Sequence, residues 1–427
     1  MDAPMRTEIT IDGANATGSS YIAWAPVHSS IRLIGADTGV DSVDVLLRNQ
    51  NPARGGQVVF RSVVTGAKQD TLQLRLQADG TPVDFFVAGE FGHPSVKDKD
   101  AVIEATDANS GDVLSTKALM VRIRKNANTL TEEERDRFLS AFAKLNNQGM
   151  GTFRDFRDIH REATQDEAHG FAGFLPWHRA YLLDLERELQ QIDPSVTLPY
   201  WKFDEPAPNL FTTAFMGVPN NLGRVQFDPG NPLEFWATDG VAGIERAPRF
   251  NTNTSPAFVL SEEDTLLLGG GGNLYAAFVD MEGDPHGFAH TSFRGSISRI
   301  DTAAKDPLFF LLHTNVDRLW SKWQWLFSRF DTADRATYEF LGKAGDPGAE
   351  RIGHNLNDTM WPWNQVKTVP RPPTAPGGSF PASPTEIAPG LEPTVGDMID
   401  YQGVNDLGNR LGFDYDDFPS LLLEHRG

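Results

Sequence analysis

Cysteine is absent from the 427 residues. Disulfides, thiolate metal sites and cysteine nucleophiles are therefore excluded, and any bound metal must rest on His, Asp or Glu. There is no run of 18 or more apolar residues, so no segment reads as a membrane-spanning helix. Basic residues are scarce: 38 Lys plus Arg against 58 Asp plus Glu give a formal net charge of −20. That balance argues against nucleic acid or an anionic membrane surface as a partner, and serves solubility instead. The first residues, MDAPMRTEITIDG, lack a basic stretch followed by an apolar one. No secretory signal is visible there, which tips the expectation toward the cytoplasm. The glycine-rich run LLLGGGGNLY (266–275) has no following GK[ST], so it reads as a surface loop rather than a phosphate cradle. Internal repeats are also missing.

What is present is enough apolar mass for a large core: 40% hydrophobic residues, with 28 Phe and 9 Trp. The length suits two domains of ordinary size. Residues 6 to about 122 carry the period of half-buried strands. In TLQLRLQ, Leu72, Leu74 and Leu76 fall on one face and Gln73, Arg75 and Gln77 on the other. VDVLLR (43–48), QVVFRSVV (57–64), VDFFVAG (83–89), AVIEAT (101–106) and ALMVRI (118–123) are further candidates, separated by clusters such as NQNPARGG and DANSGD. Short strands at such spacing predict a β-sandwich over residues 1–121. His28 and His93 fall in expected turns of this region and read as surface residues.

The pattern changes near residue 124. Thr131 followed by Glu134 forms a capping box, and Phe138, Phe142 and Leu145 then follow helical spacing. Helices and long Gly- and Pro-rich connections follow to about residue 330. Residues 366–395 are Pro-rich and read as an extended strap. The fold class expected is α+β in two domains, 1–121 all β and 122–427 mainly helical.

Six of the ten histidines form two groups of three. His160, His169 and His178 make the first, and His178 opens a strongly amphipathic helix with Leu182, Leu185 and Leu189 on one stripe. His286, His290 and His313 make the second. His286 and His290 are four apart, so in a helix they share a face; Gly287 stands where a zinc protease would need glutamate. His313 lies in KDPLFFLLHTNVDRLW, an apolar helix with Asp306 and Pro307 as start signals and Asp317 one turn beyond. Taken alone, His313 reads more simply as a core histidine satisfied by a carboxylate than as a metal ligand oriented by Asp317. An all-imidazole set suits copper, whereas carboxylates favour Mg, Ca or Mn. Two adjacent coppers, each with three imidazoles and an open position, can take dioxygen between them.

The stretches GFLPWHRAYLLDLERELQ, LPYWKFD and DPLFFLLHTNVDRLW resemble the signatures of the tyrosinase, or polyphenol oxidase, family of coupled binuclear copper proteins. The resemblance covers roughly residues 122–416 and includes a closing LGFDYDD around Tyr415. It implies a copper domain built on a four-helix bundle, binding two copper ions. His160, His169 and His178 would hold the first, and His286, His290 and His313 the second. It further implies that Asp317 orients His313, that Glu282 holds a water near the site, and that Gly287, Thr291 and Ile300 line the substrate's path. The residue before His313, usually a histidine in the family, is here Leu312. With no cysteine, His169 cannot carry the thioether tether of many plant and fungal members, as in bacterial ones. The implied reaction is oxidation of o-diphenols to o-quinones by dioxygen, with or without hydroxylation of monophenols. Alternatives are an o-aminophenol oxidase and a dioxygen-binding protein of the hemocyanin kind.

Overall fold

The computed structural model describes residues 5–11, 20–36, 39–160, 165–268, 270, 274–334, 337–338, 353–364, 389–390 and 392–422. The Pro-rich strap expected over 366–395 and the centre of the glycine-rich loop lie largely outside these residues. The chain divides into two compact units. The first holds the described residues up to Ile123 and those from Gln402 onward; the second runs from Arg124 and ends at Tyr401.

The first unit contains strands β1 (Arg6–Ile11), β2 (Tyr21–Ile22), β3 (Val27–Ile34), β4 (Ser42–Asn49), β5 (Val58–Arg61), β6 (Thr71–Gln77), β7 (Val83–Gly89), β8 (Ala101–Asp107) and β9 (Val113–Val121). They form a four-stranded sheet in the order β1-β3-β7-β5 and a five-stranded sheet in the order β2-β9-β8-β4-β6. Alternation drives this arrangement. In β1 every second residue is buried, and β3 alternates likewise at Val27, Ser29, Ile31 and Leu33. The inward residues of both sheets meet in one apolar cluster, with Ile31, Phe60 and Phe85 from one and Val45, Ile103 and Leu119 from the other. His28 and His93 are exposed, as expected, but His28 lies within β3 rather than in a turn, on the outward face of its alternation.

The second domain was expected to run to residue 427, and there the structure differs. The segment from Gln402 groups with the strands because Trp24 needs it. Trp24 is fully buried, and its indole N–H donates to the Tyr415 carbonyl at 2.8 Å. The backbone N–H groups of Trp24 and Ala25 donate to Asp414 Oδ2 at 2.9 and 3.2 Å. Gln402 Nε2 donates to the other oxygen of Asp414 at 2.7 Å.

The second unit contains helices α1 (Glu132–Leu145), α2 (Phe153–Ile159), α3 (Gln165–Ala168), α4 (Phe174–Ile192), α5 (Glu262–Leu266), α6 (Tyr275–Phe278), α7 (Phe288–Thr291) and α8 (Leu308–Phe327). The capping box of α1 forms, with Thr131 and Glu134 each bonding the other's backbone. At the start of α8, Asp306 Oδ1 accepts the Leu308 N–H at 3.0 Å. Helix α4 packs against both α8 and α1. In α8, Leu308, Phe309, Phe310, Leu311 and Leu312 are all fully buried, so the helix is enclosed on every side over its first turns.

Candidate metal centre

Each of the six histidines reaches the centre from a different position in these helices. His160 caps the C-terminus of α2, and His169 directly follows α3. His178 lies in the second turn of α4. His286 sits in the irregular turn before α7, His290 within α7, and His313 in the second turn of α8. The side-chain nitrogens of His160, His169 and His178 lie within 4.8 Å of one another, and so do those of His286, His290 and His313. His178 and His313, one from each trio, stack face to face with centroids 4.3 Å apart and planes 10° apart. The close approach of α4 and α8 places them so. Phe309 packs against both trios, with ring centroids 4.2 Å from His313 and 4.6 Å from His160.

The hydrogen bonds define which nitrogen is available. His178 Nδ1 stands 2.8 Å from the Phe174 carbonyl, His286 Nδ1 2.7 Å from that of Glu282, and His290 Nδ1 2.7 Å from that of Ile297. A carbonyl only accepts, so each Nδ1 carries the proton and each Nε2 presents a bare lone pair. His286 Nε2 and His290 Nε2 both face His313 Nε2, at 3.3 and 3.2 Å. His178 Nε2 is buried without a hydrogen-bond partner. Converging lone pairs in a dry interior cost free energy unless a cation joins them. Burial pushes His160 down to about 3 and His290 to about 4, and holds the other four well below the ordinary histidine range. All six are therefore neutral near pH 7, the form that binds a metal. Neither trio includes a carboxylate, and the donor set fits copper.

Asp317 does not orient His313. Its Oδ1 accepts from Arg179 Nε at 2.5 Å and its Oδ2 from Arg124 Nη1 at 3.1 Å, while His313 Nδ1 has no hydrogen-bond partner. Arg124 also grips Glu186 with Nε and Nη2, and Arg179 stacks 3.7 Å over Trp320. The i,i+4 spacing was right about the helix face, but two buried guanidiniums outcompete an imidazole for the carboxylate. Asp317 thus locks α4 to α8, the pair that carries His178 and His313.

Beside the histidines lies an open cavity of about 320 Å³. Glu282, Gly287, Thr291 and Ile300 all line it; Ser298, Arg299 and Ala303 line it too and were not singled out. Both Glu282 oxygens accept the Gly170 N–H, at 2.8 and 2.9 Å. Gly170 adopts φ +80°, a conformation that glycine reaches without strain. Burial pushes the Glu282 carboxyl up to about 7, against the lowering by that hydrogen bond.

Residues 150–326, which include all six histidines, match the family model of the common central domain of tyrosinase. A tyrosinase of Streptomyces glaucescens is 31% identical over 271 residues, spanning 57% of this chain and 93% of that one. The chain belongs to the tyrosinase family. Grixazone synthase of Streptomyces griseus is likewise 31% identical over 264 residues, covering 48% of this chain and 85% of its own. Among solved structures, a tyrosinase from Burkholderia thailandensis is 18% identical with a TM-score of 0.44, over 71% of this chain and 75% of that one. As a tyrosinase-family member the chain is a copper-dependent oxidoreductase of the phenol oxidase type, and the family's cofactor is a pair of copper ions. Two trios of neutral imidazoles are what such a pair requires.

Proposed function

We propose that the chain oxidises o-diphenols to o-quinones with dioxygen, reducing one dioxygen to two waters for every two diphenols. His160, His169 and His178 would hold one copper through Nε2, and His286, His290 and His313 the other. The observation that carries this reading is the convergence of bare imidazole nitrogens in two trios on one open cavity. Bound there, copper would supply the binding of dioxygen and the exchange of two electrons with each diphenol. The chain itself supplies the shape. Phe309 keeps the trios dry on one side, and the cavity between Thr291 and Ile300 suits a single ring. Its openness favours an enzyme over a dioxygen carrier of the hemocyanin kind. We also read the paired sheets as a β-sandwich, and α2, α4, α7 and α8 as the four-helix bundle that surrounds the metals.

Hydroxylating a monophenol asks more of the protein, because a phenol near pKa ~10 must first lose its proton. Glu282 is the one carboxylate among the described residues lining the cavity, and its raised pKa makes it a stronger base than an ordinary carboxylate once ionised. Gly287, beside His286, offers no amide side chain to help it hold a water. This supports diphenol oxidation as the main reaction. Copper-loaded protein should contain about two coppers per chain by elemental analysis and turn over catechol faster than tyrosine or o-aminophenol. Gly287 has helical φ of −59°, and an added Cβ would meet only the Glu282 carbonyl, at 3.3 Å. Gly287→Asn should therefore fold and raise the tyrosine-to-catechol ratio about 10-fold, the scale of one modest hydrogen bond. One copper per chain, or oxygen binding without quinone formation, would overturn the proposal.

A further inference from the structure

We infer that Arg299 makes the cavity selective for phenols that carry a carboxylate, an inference that rests on the phenol oxidase function proposed above. Apart from the histidines and Glu282, Arg299 is the one charged side chain among the described residues lining the cavity. Its side chain is 70% exposed, so it stands at the mouth, where a substituent on a bound ring would emerge. Neighbouring Ile300, 41% exposed, shares that rim. The backbone beneath is pinned. Arg299 N–H donates to the Ser296 carbonyl at 3.3 Å, and the Arg299 carbonyl accepts from Thr302 and Ala303 at 3.1 and 2.7 Å. The guanidinium thus starts from a fixed point and only its arm can swing.

Asp301 currently holds that arm, through Nε to Oδ1 at 3.2 Å and Nη2 to Oδ2 at 3.1 Å. This is the fork geometry in which guanidinium meets carboxylate. The pair is solvent-exposed and therefore weak, so an incoming carboxylate can share or replace Asp301 at little cost. A guanidinium has five N–H donors and can serve two carboxylates at once. With a net charge of −20 the molecule as a whole does not attract anions. Selection must then be local, by pairing at the rim rather than by long-range steering. The cavity of about 320 Å³ is small for a ligand site, enough for one ring and a short arm. A catechol bearing a propanoate side chain fits that description: hydroxyls toward the histidines, carboxylate toward Arg299.

The test compares kcat/KM of the copper-loaded protein for 3-(3,4-dihydroxyphenyl)propanoate, neutral 4-methylcatechol and cationic dopamine. Arg299→Gln should lower the propanoate-to-methylcatechol ratio about threefold to fivefold, the scale of an exposed ion pair, mainly through KM. Arg299→Glu should lower it further and favour dopamine. Asp301→Asn, which removes the competing carboxylate, should raise it. High salt should shrink all these differences. Binding of 3-phenylpropanoate, which cannot be oxidised, should weaken in Arg299→Glu by calorimetry. Ratios and binding that stay the same in all three variants would overturn the role of Arg299. Failure to oxidise any of the three catechols would count against the phenol oxidase reading instead, and the calorimetry would still decide on Arg299.

Discussion

The carboxylate of Asp317 is shared by two guanidiniums in a space with almost no solvent: Arg124 and Arg179 are both 0% exposed at the side chain, and Asp317 is 1% exposed. Removing one partner of a buried ion cluster leaves the other charges uncompensated, which typically costs about 3–5 kcal/mol. Asp317→Asn should therefore lose about that much stability in urea denaturation of the copper-loaded protein, while folded chains keep about two coppers. Copper loss at unchanged stability would mean that Asp317 acts on His313 after all. The contrast shows what a sequence can convey at this scale. The six histidines were legible because motifs of many residues surround them. The partners of Asp317 were not, because Arg124 lies 193 positions away and nothing local marks it. Arg299 was equally silent, since a lone arginine beside an isoleucine is ordinary until the cavity is seen.

Helix α4 concentrates chemistry on one element: His178 faces the metal centre, Arg179 and Glu186 serve the ion cluster, and Asp184 faces Trp363. Asp184 Oδ2 accepts the Trp363 indole N–H at 2.8 Å, while its Oδ1 is buried without a partner. Burial pushes its carboxyl up to about 8. A carboxyl with a raised folded-state pKa binds more protons in the folded chain than in the unfolded one. Its contribution is full below the unfolded value of ~3.9 and is lost as pH rises toward about 8. Asp184→Asn keeps an acceptor for Trp363 and removes the titration. The melting temperature of the variant relative to the parent should thus climb by at least ~2–4 °C between pH 5 and pH 8.5, in differential scanning calorimetry. A parallel pH dependence in the two proteins would show that Asp184 titrates normally. At this scale the sequence was readable where periods are clean. The capping box of α1, the enclosed start of α8 and strands β4, β6 and β8 follow their patterns. Strands β1 and β3 were covered only by the general β reading of residues 6 to about 122, because Thr7 and Ser29 take inward positions and dilute the apolar alternation.

For the whole molecule, the first unit is assembled from the beginning of the chain and a segment from near its end. Asp414 ties them, so Asp414→Ala should strand the Trp24 and Ala25 N–H groups at about 1–3 kcal/mol each if they stay dry. Hydrogen exchange should then quicken at Trp24, Ala25 and the adjoining β2 and β3, with little change in α4 or α8; unchanged exchange at Trp24 would refute the tie. The same arrangement sets an order of events on the ribosome. The strands of the first unit emerge early, yet the indole of Trp24 has no acceptor until Tyr415 is made. Ile123 and Gln402, where the described segment carrying Asp414 and Tyr415 begins, lie roughly 280 residues apart. At ordinary synthesis rates that is a wait on the order of 15–60 s. By its end the second unit, with its full set of six histidines, is complete in sequence, ahead of the segment around Tyr415 and Phe418. The metal-binding half can therefore finish folding before the half that precedes it.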